Sequence, residues 1–290
     1  MNEIAATWTV VRVTLREGVR RRLLLALAGL SLVAVLITAW GYAQLPHLPA
    51  GRAGPLTTPQ IQLLASQLLI LVMFMFGFVL ALAAVFAAAP SVAGELESGE
   101  MLAVLARSVT RRSVLLGKWL ALAIVVVIYA ITATALEYLA IGVTTGYLPP
   151  QPAEASLYLA AEGIVILSLT MALSTRLSPV AAGIVAMLCF GLAWLGGVVG
   201  GIGVAFGDPV TSQLGTVTRL LLPTDGLWRG AIFSLEPAAV VVAGAGAGPQ
   251  LAAFPFFAAA PPIPAYLAWS ALWIVGVLGA AVVSFRRRDL

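Results

Sequence analysis

The sequence predicts an all-α membrane protein with six transmembrane helices, and three observations predict it. Of 290 residues 61% are hydrophobic and only 10% are charged, against about 25% charged in a soluble domain. The apolar residues gather into six runs, each at or above the roughly 20 residues that cross a bilayer as a helix. The basic residues sit at the ends of those runs, where membrane topology needs them. A soluble fold of this length cannot hide so much apolar surface, so lipid covers much of it. The 28 Gly and 17 Pro fit that setting, because membrane helices tolerate both.

Residues 1–22 form the first element. Ile4, Trp8, Val11, Leu15 and Val19 recur at spacings of three and four, and Arg12, Arg16 and Arg20 repeat beside them. That pattern predicts an amphipathic interfacial helix with its apolar stripe in lipid and its arginines toward phosphate. An ordinary basic flank to the first span is the plainer alternative. The cluster Arg20–Arg22 precedes a run long enough to span, with no small-residue cleavage site close behind, so no cleavable signal is expected. The spans are expected at 23–42, 61–89, 115–142, 155–175, 180–206 and 264–285. With the N-terminus inside, thirteen basic residues lie inside and three, Arg52, Arg219 and Arg229, outside. This bias places both termini in the cytoplasm of a multi-pass protein of the cell (plasma or inner) membrane. It also decides the stretch 237–257, which Pro237, Pro249 and Pro255 divide. A seventh span there would put Arg286, Arg287 and Arg288 outside, so the stretch is expected as an interfacial or re-entrant part of an external loop, 207–263. One transmembrane domain is expected over 1–290.

Several function classes fall away. The net charge of +4 comes with no basic stripe interleaved with aromatics, which argues against nucleic acid as a partner. Cys189 and His47 are each the single residue of their type, too few for a disulfide or a metal cluster. No nucleophile–base pair suggests an enzyme. Glu137 and Glu162 lie in the third and fourth spans, where carboxylates are costly. They suggest either a proton or cation site of an ion-coupled secondary transporter, or structural groups near the outer ends of their spans. No basic residue within either span offers a partner. Gly196/Gly200 and Gly197/Gly201 have the spacing that lets helices approach closely, as a dimer seam or a packing face within one subunit. In the external loop, Asp225 is expected to cap a short helix and Trp228 to sit at the interface.

The second cytoplasmic connection, 90–114, is longer than a turn requires. Glu95, Glu97 and Glu100 open it, Gly99 breaks it, Leu102 and Leu105 follow, and Arg107, Arg111, Arg112 and Lys118 close it. A short amphipathic helix there predicts a docking surface for another protein. At these residues the chain resembles the permease subunits of ABC transporters of the ABC-2 type, many of which carry Glu-x-Glu-x-Gly-Thr, leucines, Ser-Arg-Pro-Ile-Ser-Arg and Gly-Lys before the third span. Glu95, Glu97, Gly99, Leu102, Leu105, Arg107, Arg111, Gly117 and Lys118 match. Glu100 stands where threonine is usual and Ser108 where proline is usual. The N-terminal helix, the six spans, the loop before the last span and the Phe-Arg-Arg-Arg-Asp-Leu ending are similar too. In size the chain resembles the branch that includes the permease of nitrous-oxide-reductase maturation.

The resemblance implies the ABC-2 type exporter fold and a half-transporter. A second permease subunit, identical or different, would pair with it, and two copies of a cytosolic ABC ATPase would support the pair. Glu95, Glu97, Gly99, Leu102, Leu105, Arg107, Arg111 and Lys118 would couple to that ATPase. The second and fifth spans would line the pathway, and the first and fifth would lie near the dimer axis. A phosphate loop needs Gly-x-x-x-x-Gly-Lys-Ser/Thr. Around Gly117-Lys118 the first glycine is replaced by Arg112 and the hydroxyl residue by Trp119. The chain is therefore expected to bind no cofactor of its own, with ATP and Mg²⁺ in the partner ATPase.

Overall fold

The computed structural model describes residues 3–20, 22–48, 56–99, 109–246, 248, 250–251 and 254–288, with side chains outside 17–20, 22–27 and 245. Every regular element among them is a helix: α1 (Glu3–Arg20), α2 (Arg22–Gln44), α3 (Thr58–Ala89), α4 (Arg111–Thr145), α5 (Pro152–Ser174), α6 (Pro179–Phe206), α7 (Pro209–Leu221), α8 (Thr224–Leu235), α9 (Ala238–Gly246) and α10 (Pro264–Arg286). Six of these, α2, α3, α4, α5, α6 and α10, are long and apolar enough to cross a membrane.

Local chemistry fixes where the helices start. Thr57 and Gln60 form a capping box at α3, Thr110 accepts from the Ser113 amide at α4, and Ser178 accepts from Ala181 at α6. Each satisfies amides that a helix N-terminus leaves open. Gly146 and Gly207 adopt positive φ and turn the chain after α4 and α6. The second span does not stop at Ala89 as expected. A π turn over Pro90–Gly94 carries the helix on to Glu97. Pro90 removes one backbone donor, and the wider turn absorbs the loss without ending the helix.

α3, α4 and α5 form the centre, and α10 is the most peripheral span. Of their most apolar stretches, 61% of α5 is buried against 17% of α10. Val85, Leu115, Leu122, Met171 and Phe285 fill one half of the core. Leu69, Met73, Ile141, Leu159 and Trp228 fill the other.

Two packings differ from the sequence-based expectation. α1 lies directly on α4, because Gly117 has no side chain to hold it off; a Cβ there would fall 2.7 Å from that of Val10 and 2.9 Å from the Thr7 carbonyl. Val11 is buried, while Ile4 and Trp8 of the same stripe stay exposed. The second difference is α7, which folds back along α6. A Cβ on Gly200 would meet the Gly215 backbone at 2.6 Å, and one on Gly203 the Ser212 amide at 2.4 Å. Gly196 faces Thr218 in the same way, and Gly201 is buried. Of the two options for these glycines, the described contacts of Gly196, Gly197 and Gly200 lie within the chain.

Candidate functional site

At the end of the bundle where α3 finishes and α4 begins, Lys118 is only 7% exposed. It donates to the Ser91 carbonyl at 2.7 Å and pairs with Glu95, as a buried ammonium requires. This ties the π turn to the second turn of α4. Arg111 donates to the carbonyls of Phe285, Arg286 and Arg288 at 3.3, 3.1 and 2.7 Å. It thereby serves the open carbonyls that end α10. Arg288 reaches the Thr175 carbonyl at 2.8 Å, and Arg176 holds Ser284. The ends of α3, α4, α5 and α10 are thus bound into one frame. Of the eight residues the resemblance assigned to coupling, Glu95, Arg111 and Lys118 are engaged within this frame. Glu97 is exposed, and Gly99, at φ 78°, turns the chain after it. Leu102, Leu105 and Arg107 lie outside the described residues.

A second constellation lies halfway through the bundle. Asp225, 3% exposed, accepts on one oxygen from Arg219 Nε at 2.6 Å and Arg229 Nε at 3.2 Å. Both guanidiniums also donate to the Gly197 carbonyl at 3.3 Å. Only glycine fits at 197, because a Cβ would lie 2.1 Å from the Asp225 carboxylate. The carbonyls that end α7 are served by α10: Trp269 Nε1 donates to Leu220 O at 3.0 Å, Trp273 Nε1 to Leu221 O at 2.8 Å, and Tyr266 OH to Arg219 O at 3.3 Å. α7 therefore ends beside the interior part of a span.

Glu162 approaches this cluster from α5, its Oε2 sitting 3.3 Å from where a Cβ of Gly77 would be. That oxygen is buried without a hydrogen-bond partner among the described residues, and the Asp225 carboxylate repels it. The sequence-based expectation put Glu162 near the outer end of its span. The structure centres it in a helix of 23 residues, about 15 Å from the start at 1.5 Å per residue, half of a bilayer core of roughly 30 Å. The arginines that hold Asp225 come from outside the six spans, carried inward by the α7–α8 hairpin. Glu137, also fully buried, accepts from Thr38 Oγ1 at 2.7 Å. Asp225 does not cap a helix but anchors two arginines. Trp228 is buried rather than interfacial, with its ring 5.5 Å from Phe74, which also meets Trp194 and Phe256 at 5.3 Å.

Below that aromatic layer an apolar groove of about 640 Å³ opens between α3 and α6, lined by Phe78, Val85, Phe86, Val180, Met187 and Leu188 among others. Phe78 and Phe190 approach to 6.4 Å beside it. Residues 8–290 match the family described as ABC-2 family transporter protein. The chain belongs to that family. It is a multi-pass membrane permease component of an ABC transporter, and such ABC-2 permeases have no ATPase site of their own and work with an ABC ATPase. No curated protein matches this permease. The hairpin, the charge cluster and the groove all fall within the matched residues. The cluster is hidden in the sequence because Arg219 and Arg229 stand in a stretch with the composition of a loop. Asp208 and Pro209, a capping residue with proline behind it, were the available signal for α7.

Proposed function

We propose that this ABC-2 permease is the membrane half of an ATP-driven exporter, paired with a second permease subunit and resting on two copies of a separate cytosolic ABC ATPase. The observation that carries this reading is the frame around the second cytoplasmic connection. Glu95 is held by Lys118 at one end of the connection, and Arg111 holds α10 at the other. A partner that moves the residues between them acts at once on α3, α4 and α10. Glu95, Arg111 and Lys118 position the connection, whereas Glu97, Leu102, Leu105 and Arg107 meet the ATPase. ATP and Mg²⁺ belong to that partner, since Arg112 and Trp119 interrupt the one Gly-Lys of this chain. Both termini lie in the cytoplasm. The direction of transport follows the family resemblance.

One observation favours a second reading, an ion-coupled carrier: the unpartnered Glu162 carboxylate in the middle of a span. The two readings part in one experiment. Leu102→Asp and Leu105→Asp should lose the copurifying ATPase and ATP-driven transport while the permease still inserts. Apolar anchors carry about 2 kcal/mol or more each, whereas rim charges carry well under about 1 kcal/mol. Glu97→Ala should therefore do less. Retention of both ATPase and transport in both leucine variants would transfer the case to the carrier reading.

A further inference from the structure

We propose that residues 236–258 form a pH-sensitive lid over the aromatic layer, closed while Glu236 carries its proton and opening when it ionises. The proposal is independent of the direction and energy source of transport.

The segment has a fixed post, a hinge and a movable cover. The post is α8. Near its start Asp225 is paired with two arginines, and its end is capped from the connection between α4 and α5. There the Gln151 amide donates to the Ser234 carbonyl at 3.1 Å and the Tyr147 hydroxyl to the Leu235 carbonyl at 2.6 Å. The hinge is Glu236 with Pro237, where the chain bends by 116° into α9. The cover is α9 with the returning residues 254–258. α9 makes no substantial contact with another helix. It rests on the returning chain, since a Cβ on Gly244 would fall 2.3 Å from the Phe257 ring and 2.9 Å from Leu251. That chain sets Phe256 edge-on against Phe74 at 5.3 Å and brings the Ala258 amide toward Glu236. A cover held by so few contacts belongs to the part of a fold that opens locally.

Glu236 is the one ionisable group of this lid, for residues 237–258 contain no acidic, basic, Cys or Tyr side chain. It is 1% exposed, and neither of its oxygens has a hydrogen-bond partner. A carboxylate ion sealed from water in this way is strongly unfavourable, whereas the protonated acid is tolerated. No cation relieves it. Arg229 lies two turns back on α8 and is committed to Asp225. From the α4–α5 connection comes Tyr147, committed to Leu235. Tyr42 and Tyr138 lie in the same half of the core, and His47 and Glu154, after α2 and at the start of α5, are exposed. The closed lid therefore holds the proton, and the open lid, with Glu236 in water, releases it. Burial pushes the closed-state carboxyl up to about 8, from about 4.3 in water. Between these values opening becomes up to about tenfold more favourable per pH unit, and above the higher one it gains nothing more.

The test uses the full chain with its copurified ATPase in lipid nanodiscs, with Cys189 replaced. Spin labels are attached through Val242→Cys and Leu148→Cys, two exposed positions on the cover and on the α4–α5 connection. Double electron–electron resonance then reads their separation from about pH 5 to about pH 9. The wild type should show one short distance at the acid end and a longer one that gains population up to about pH 8 and then levels off. Glu236→Gln and Glu236→Ala, both neutral at every pH, should lose this dependence. A control pair, Leu148→Cys with Leu157→Cys on α5, does not cross the hinge and should stay constant. An unchanged wild-type distance would overturn the proposal. So would a widening that persists in both neutral variants, which would assign the titration to another group. An equal change in the control pair would place the movement in the bundle and remove the lid.

Discussion

A methyl group at residue 197 has no room. The site it would occupy lies 2.1 Å from the Asp225 carboxylate, which two arginines hold in place. Gly197→Ala should therefore break the buried ion cluster and cost on the order of 3 kcal/mol, read as a lower melting temperature in detergent. Gly191→Ala on the same helix meets nothing within 4 Å and should be neutral or stabilising by up to about 1 kcal/mol. A second single-residue effect lies at Glu236, between α8 and α9. It is 1% exposed, and burial pushes its carboxyl up to about 8 against the opposing amide of Ala258. A carboxyl raised in this way stabilises the fold fully below its unfolded value of about 4.3, and the contribution is lost as pH rises through 8. The melting temperature should fall from about pH 5 to about pH 8 and level off above that, and Glu236→Gln should flatten that fall.

Among the elements, the six spans were legible because an apolar run of their length has few other destinations, and α4 and α6 also announce their caps at Thr110 and Ser178. The α7–α8 hairpin was not legible. Residues 209–221 include Thr211, Ser212, Gln213, Thr216 and Arg219, and such a stretch reads as a loop until the glycine face of α6 is there to receive it. Pro90 looked like an end and proved to be a π turn, because proline removes a donor without fixing the path of the next residues. The stripe on α1 was visible, but its partner was not; the signal was Gly117 on another helix. Of the candidate residues, Glu162 stands out in the sequence as a carboxylate within an apolar run, whereas the pairing of Asp225 with Arg219 and Arg229 needed the tertiary fold. The hairpin yields its own prediction. Trp273→Phe keeps an aromatic ring but removes the donor to the exposed Leu221 carbonyl, a net loss of about 1 kcal/mol. Faster proteolysis within 209–235 should report it, while Trp40→Phe, on an exposed face of α2, should not.

For the molecule as a whole, the arginine bias predicts that both ends of the chain stay inside. Asn2→Cys and Asp289→Cys, each in a chain with Cys189 replaced, should resist a membrane-impermeant thiol reagent applied to intact cells and react after lysis. Labelling of position 289 alone from outside would mean an odd number of crossings and a spanning role for α8 and α9, which bend by 116° at their junction. The contacts of Trp269, Trp273 and Tyr266 with the end of α7 also bear on how the protein is made. α10 is synthesised after α7, so the carbonyls of residues 219–221 have no donors when their helix leaves the ribosome. Until α10 is in place those carbonyls lack their side-chain donors, so α7 is expected to settle into its final position only after the last helix has been made, and a chain cut before 264 should leave 209–235 open to protease.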